Sequence, residues 1–426
     1  MKVNVISRKL IKPSTPTPQN LNKYKISFTD ELSPPMNISV ILFYPSNPKP
    51  ILIEESLAKI LPQFYPFAGR YIKKDHFVDC NDEGAEFVEA EAFNVELFDL
   101  IANTKNDQLN HLLSRQSYQV DNATDPLLSI QITKFKCGGL VISVTVSHTI
   151  ADVSSIGTFI AAWSNANNPP EGDKTITIGP SFNSPMLFPG KNLENQMEQI
   201  KTRDPNIVVK RLLFNKEAIE SLRSELNGDD GLFISRVRVV SGLIAKALIG
   251  VEIAKHGKSK ACVIAQAVNI RGRTIPPLPK HSCGNLAIPS VTKTKDNHIM
   301  GFHELVCLLG GAIDKTIADC AEILSLGTED GCNVIFQSVA KMNERSESGE
   351  EMKVLLFSDW SRFGFYEADF GWGKPIWTGI GTMPAQNVTI LMDNKEGDGI
   401  EAWLHLNHND WPYLEQDDQM KLFMIA

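Results

Sequence analysis

Residues 147–152 read Ser-His-Thr-Ile-Ala-Asp, which sets an imidazole and a carboxylate four apart as His148 and Asp152. The ordinary pKa of an imidazole lies close to neutrality, so His148 can take a proton from a hydroxyl or amine as a general base. Three uses of the pair compete. His148 could end a strand while Asp152 caps the following helix, its side-chain oxygen accepting from exposed N–H groups. Both could bind a metal, but zinc asks for three or four converging ligands and no further set lies nearby in the chain. The third use is base catalysis. No GxSxG elbow and no cysteine in a recognisable nucleophile motif suggests a covalent intermediate, and no GxxxxGK[ST] loop offers a phosphate cradle.

A second block, residues 360–375, reads Trp-Ser-Arg-Phe-Gly-Phe-Tyr-Glu-Ala-Asp-Phe-Gly-Trp-Gly-Lys-Pro. Glycines interleaved with aromatics are poor material for a plain helix or strand and suit a rigid bend held by ring packing.

The elements that must position these residues follow from hydrophobic period. Residues 127–136 and 140–147 are β-rich runs separated by Cys137, Gly138 and Gly139, a hairpin signal. Residues 152–163 have helical spacing, with Ile156, Phe159, Ile160 and Trp163 on one side. His148 is thereby expected where a strand gives way to a helix. Strands are also expected at 3–10 and 37–44, and a helix at 53–61 stopped by Pro62. From 165 to 205 the pattern dissolves into Asn, Pro, Gly and Ser, which reads as a crossover between two lobes. Beyond it, strands are expected at 207–214, 261–267, 353–357, 387–392 and 400–406. Helices are expected at 216–226 and 235–255, twice within 301–345, and after Asp410. The mixture is α/β.

With 426 residues, 42% hydrophobic and 22% charged, the chain can bury ample core in two or three units. Its 42 Lys and Arg against 50 Asp and Glu give a net charge of −8, which argues against a nucleic-acid-binding surface. Lys2, Arg8, Lys9 and Lys12 interrupt the N-terminal apolar residues, unlike a signal peptide. The most apolar stretch, 140–163, contains His148 and Asp152 and is a poor membrane span. A cytoplasmic protein with no membrane partner is expected. The seven cysteines show no close pair, so they read as scattered reduced thiols. His405 with His408, and His298 with His303, read as surface or half-buried histidines without a metal.

Taken together these motifs closely resemble the plant BAHD acyltransferase superfamily, whose signatures are HxxxD and DFGWG. Both are intact here, as residues 148–152 and 369–373. Residues 64–70, Phe-Tyr-Pro-Phe-Ala-Gly-Arg, are similar to the family's YPLAGR, and residues 268–273, Val-Asn-Ile-Arg-Gly-Arg, to its VNxRxR. The resemblance spans essentially the whole chain. It implies a two-lobed, chloramphenicol acetyltransferase-like α/β fold with mixed sheets, helices and a central solvent channel. On this reading residues 1–185 form an N-terminal lobe carrying HxxxD, 186–209 a crossover, and 210–426 a C-terminal lobe carrying DFGWG.

The resemblance further implies that His148 deprotonates the acceptor, which attacks an acyl-CoA thioester in a ternary complex. Asp152 would point away from His148 and pair with Arg271, the rival being a triad-like bond from Asp152 to the imidazole. Asp369 stands beside His148 as a catalytic candidate, with an electrostatic role weighed against structural support. Gly371, Trp372 and Gly373 are expected to shape the site. Ser241, Lys246 and Asn285 are expected to face CoA, although Ala245 stands where the family often has tryptophan. No metal and no permanently bound cofactor is implied, and a monomer is expected. Residues 11–18, 78–82 and 266–269 look most like the vinorine synthase-like alkaloid acetyltransferase branch. Acetyl-CoA is therefore the expected donor and an alkaloid or terpenoid alcohol the acceptor, with malonyl-CoA the competitor. The anthocyanin-modifying branch typically has YFGNC, where residues 281–285 here read His-Ser-Cys-Gly-Asn.

Overall fold

Alternating β-branched and apolar residues make the strands that carry this chain, and the computed structural model places them in two units. It describes residues 1–46, 53–104, 107–119, 122–168, 179–193, 204–226, 234–296, 298–344 and 352–424. The strands, numbered in chain order, are β1 (Lys2–Ile11), β2 (Lys23–Lys25), β3 (Asn37–Tyr44), β4 (Arg70–Ile72), β5 (Phe77–Asp79), β6 (Ala85–Phe93), β7 (Leu128–Phe135) and β8 (Leu140–Ser147). They continue as β9 (Ile207–Phe214), β10 (Cys262–Asn269), β11 (Ala287–Lys293), β12 (Lys353–Asp359), β13 (Trp377–Gly379), β14 (Val388–Asp393) and β15 (Ile400–Asn407).

The first unit comprises Met1–Arg203, Pro279–Leu286 and Phe363–Pro384. Its large sheet runs β1-β6-β7-β8-β3-β13, antiparallel except for the parallel β6–β7 pair, and β2-β5-β4 form a small antiparallel sheet. Every residue of β3 and β8 is buried, as expected of central strands covered on both faces. One polar residue of each pairs across the ladder, Ser39 Oγ lying 2.9 Å from Thr145 Oγ1. The Val153–Asn167 helix follows β8 and buries Phe159 and Trp163 among Phe64, Phe67 and Phe370.

The second unit comprises Asp204–Leu278, Ala287–Arg362 and Ala385–Ala426. Its sheet runs β11-β10-β12-β14-β15-β9, with β10–β12 and β12–β14 parallel. The Arg236–His256 and Phe302–Ala321 helices contribute Leu243, Leu248, Leu305 and Leu309 to a core completed by Phe357, Leu404 and Trp411.

The division departs from two contiguous lobes. The segment carrying DFGWG belongs to the first unit instead of a C-terminal lobe, because β13 pairs antiparallel with β3 and Trp377 packs 4.6 Å from the Phe43 ring. Much of the expected crossover, residues 169–178 and 194–203, lies outside the described residues. His405 is also not a surface residue; it is fully buried on β15. His298 is exposed and bonds Glu304 at 2.8 Å. None of the seven cysteines is in a disulfide, and Cys137 and Cys307 are exposed.

Candidate active site

β8 ends at Ser147, and the chain must turn before the helix begins at Val153. Three bonds fix His148 in that turn. Its backbone N–H donates to the Met36 carbonyl at 2.8 Å, and its carbonyl accepts from Asn285 Nδ2 at 2.7 Å. Its ring Nδ1 lies 3.0 Å from the Ala151 carbonyl. A carbonyl can only accept, so Nδ1 carries the proton and Nε2 is left with a lone pair. The ring is half-buried, and burial pushes its pKa below the ordinary 6.5 against the opposing pull of Asp152. It is therefore a neutral imidazole with a free basic nitrogen at neutral pH.

Asp152 is the N-cap of the Val153–Asn167 helix: Oδ1 accepts from Ser155 N–H and Ser155 Oγ, each at 2.9 Å. Its Oδ2 accepts from the Leu286 N–H at 3.1 Å. The capping use and a place in the site are thus compatible, since Asp152 joins the start of the helix to the segment that holds His148. The position a triad would give to a carboxylate, hydrogen-bonded to Nδ1, is taken by the Ala151 carbonyl.

Asn285 does not face outward for a nucleotide. It is buried, its Nδ2 donates to both His148 O and Asp30 Oδ1, and its backbone N–H also donates to Asp30 Oδ1. Asp30 was not singled out from the sequence. Its only signal was Ser27-Phe28-Thr29-Asp30, the pattern of a capping box, which is present at the short helix Phe28–Glu31.

The DFGWG segment is a knot. Asp369 Oδ1 accepts from Gly371 N–H at 2.8 Å and Gly373 N–H at 3.0 Å, closing the bend. Gly371 and Gly373 have φ of +101° and +100°, a region that side chains avoid. Phe370 is buried, stacked 5.4 Å from Trp372 and edge-on to Trp163 at 4.9 Å. Tyr44 Oη donates to the Ala368 carbonyl at 2.8 Å, and Asn167 Nδ2 donates to that of Phe370. Asp369 Oδ1 thus closes this turn.

In the second unit, Arg271 is buried and folds back so that its N–H and Nη1 donate to Asn269 Oδ1, at 3.0 and 3.1 Å. Ser241 and Lys246 share the Arg236–His256 helix. Lys246 Nζ donates to Gln419 Oε1 at 2.7 Å, and the buried Ser241 Oγ has no hydrogen-bond partner among the described residues. No group of three potential metal ligands occurs among the described residues, and no described helix is long and apolar enough to cross a membrane.

Residues 1–420 match the Transferase family, which accounts for nearly all of the 426 residues. The chain belongs to the BAHD acyltransferases. It is 46% identical over 430 residues, with 100% of both chains covered, to a pelargonidin 3-O-(6-caffeoylglucoside) 5-O-(6-O-malonylglucoside) 4'''-malonyltransferase of Salvia splendens. It is 36% identical to vinorine synthase of Rauvolfia serpentina, covering 96% of this chain and 95% of that one. The crystal structure of vinorine synthase superimposes with a TM-score of 0.81 at 32% identity, covering 99% and 98% of the two chains. A structure of TRI101 of F. graminearum complexed with coenzyme A and T-2 mycotoxin shares the fold at a TM-score of 0.73 and 16% identity, covering 95% of this chain and 100% of that one. As a BAHD enzyme this chain is an acyltransferase that uses acyl-CoA and a small-molecule acceptor.

Proposed function

We propose that this BAHD enzyme transfers an acyl group from acyl-CoA to a hydroxyl of a plant specialised metabolite, with His148 as general base. The observation that carries the reading is the bond between His148 Nδ1 and Ala151 O, which leaves Nε2 to accept a proton. Nε2 removes the acceptor's hydroxyl proton as the oxygen attacks the thioester carbonyl. The tetrahedral intermediate then collapses, the carbon–sulfur bond breaks, and the CoA thiolate takes the proton back from Nε2. No enzyme nucleophile enters the sequence of bonds. Asp152, Arg271 and the Asp369–Gly373 knot support the site, while Ser241 and Lys246 serve the CoA side.

For the donor, the 46% identity to a malonyltransferase over the full chain favours malonyl-CoA and a sugar hydroxyl of an acylated phenolic glucoside. This reverses the order that the motifs alone suggested. Acetyl-CoA with an alkaloid alcohol is the second reading, favoured by the 36% and 34% identities to vinorine synthase and stemmadenine O-acetyltransferase. One experiment separates them: thiol release from malonyl-CoA and acetyl-CoA with a panel of glucoside and alkaloid acceptors, with mass spectrometry of the products. Malonylated glucoside supports the first reading, and acetylated alkaloid supports the second. Absence of acceptor-dependent thiol release from either donor, or full activity in His148→Ala, overturns the base-catalysed transfer.

A further inference from the structure

Asp30 is 2% exposed, and no cation pairs with it among the described residues. A carboxylate in that position is expensive unless hydrogen bonds replace water. Asp30 receives four. Oδ2 accepts from Ser27 N–H at 3.1 Å and Ser27 Oγ at 2.6 Å, which completes the capping box of the Phe28–Glu31 helix. Oδ1 is not needed for capping. It accepts from Asn285 N–H and Asn285 Nδ2, both at 2.8 Å.

The second of these bonds decides which way the Asn285 side-chain amide points. A carboxylate only accepts, so it holds the NH2 end toward itself, and the second hydrogen of that NH2 reaches the His148 carbonyl at 2.7 Å. Reversing the amide would set its oxygen against two acceptors, Asp30 Oδ1 and His148 O. The orientation leaves Asn285 Oδ1 buried and without a partner among the described residues, a loss that no arrangement based on packing alone would select. His148 is held at its N–H by Met36, at Nδ1 by Ala151 and at its carbonyl by Asn285. Only the last of these depends on a charge outside the turn.

We propose that Asp30 is a positioning residue for His148, acting through the amide of Asn285. The inference rests on the reading of His148 as the base, and the test keeps the two separate. Asp30→Asn retains an acceptor for Ser27 but presents an NH2 group to the Asn285 donors, so the amide turns and the His148 carbonyl loses its bond. Steady-state kinetics with malonyl-CoA and a phenolic glucoside, or with acetyl-CoA and an alkaloid alcohol, whichever pair releases thiol with the wild type, should give a kcat reduced by about tenfold to a hundredfold with both KM values within about twofold, as expected for misplacement of a reacting group. Asn285→Ala should lower kcat by a similar factor. Combining the two should cost no more than either alone, because both break one chain of contacts. Ser27→Ala removes the capping hydroxyl but leaves Oδ1 on Asn285; it should lower the melting temperature while kcat stays within about twofold.

Wild-type kcat in a folded Asp30→Asn enzyme overturns the inference, as do multiplicative losses in the double variant. If Asp30→Asn melts below the assay temperature, Asn285→Ala carries the test, and wild-type kcat there refutes it. His148→Ala stands apart: retained activity in that variant sinks the base itself. Lost activity in His148→Ala with unaffected Asp30→Asn and Asn285→Ala sinks only the role of Asp30.

Discussion

His405 offers a quantitative test of how the second unit is held. It is fully buried on β15, its Nδ1 lies 3.2 Å from the Val388 carbonyl, and its Nε2 has no hydrogen-bond partner among the described residues. Burial lowers its pKa from 6.5 to about 4. In the unfolded chain the ring takes up a proton as pH falls through 6.5, whereas the folded ring stays neutral until about pH 4. The unfolded state therefore binds more protons in that window, and stability rises with pH across it. At about 1.36 kcal/mol per pKa unit, the loss is about 2 kcal/mol at pH 5 relative to pH 8, approaching about 3.4 kcal/mol below pH 4. Urea unfolding of wild type and His405→Leu at pH 8 and pH 5 measures it, since other titrating groups cancel in the difference between the two proteins. Wild type should lose about 2 kcal/mol more than the variant between those pH values. Equal losses would mean that His405 is hydrated or protonated in the folded state, and would refute the argument.

Three further outcomes are expected. Because burial holds His148 below its ordinary pKa, activity should fall only as pH drops through an acid limb below 6.5 in kcat/KM; a limb at or above 6.5 contradicts the environment described for the ring. Asp152→Ala removes the helix cap and leaves the buried Leu286 N–H unpaired, which should cost about 2–4 kcal/mol in denaturant unfolding, and an unchanged midpoint would contradict the capping role. Gly373 has open space where a Cβ would lie but a φ of +100°, so Gly373→Ala should lose about 1–3 kcal/mol from backbone strain alone, and an unchanged melting temperature would show that the knot tolerates another backbone path.

Much of the fold was legible because period and burial coincide. β3 and β8 were expected at 37–44 and 140–147 and occur there, since a strand buried on both faces must be apolar or small throughout. The Arg236–His256 helix was readable from its apolar spacing, and it ends at Gly257 with φ +71°. β13 was not legible: three residues beside a glycine-rich bend make no periodic signal, and they form a strand only because β3 offers its open edge. Within the site, the types of His148 and Asp152 announced themselves, but their partners could not. Ala151 and Met36 act through backbone carbonyls, which every residue possesses, and Asp30 reaches Asn285 across 255 positions. The burial of His405 is hidden for a related reason, as a polar residue on a largely apolar strand looks the same whether its neighbours cover it or not.

The interleaving of the first unit bears on how the protein is made. When a ribosome has delivered residues 1–203, the sheet has β8 and the turn with His148, yet it lacks β13 and the aromatic knot that closes on Phe370. The amide that grips the His148 carbonyl arrives 137 residues after the histidine, and β13 is later still. Nascent chains must therefore keep an incomplete sheet edge until nearly the whole length has been synthesised, and a His148 carbonyl without its amide until residue 285 has emerged. A translation product stopped before Trp377 would carry an intact HxxxD sequence on a first unit that cannot finish folding.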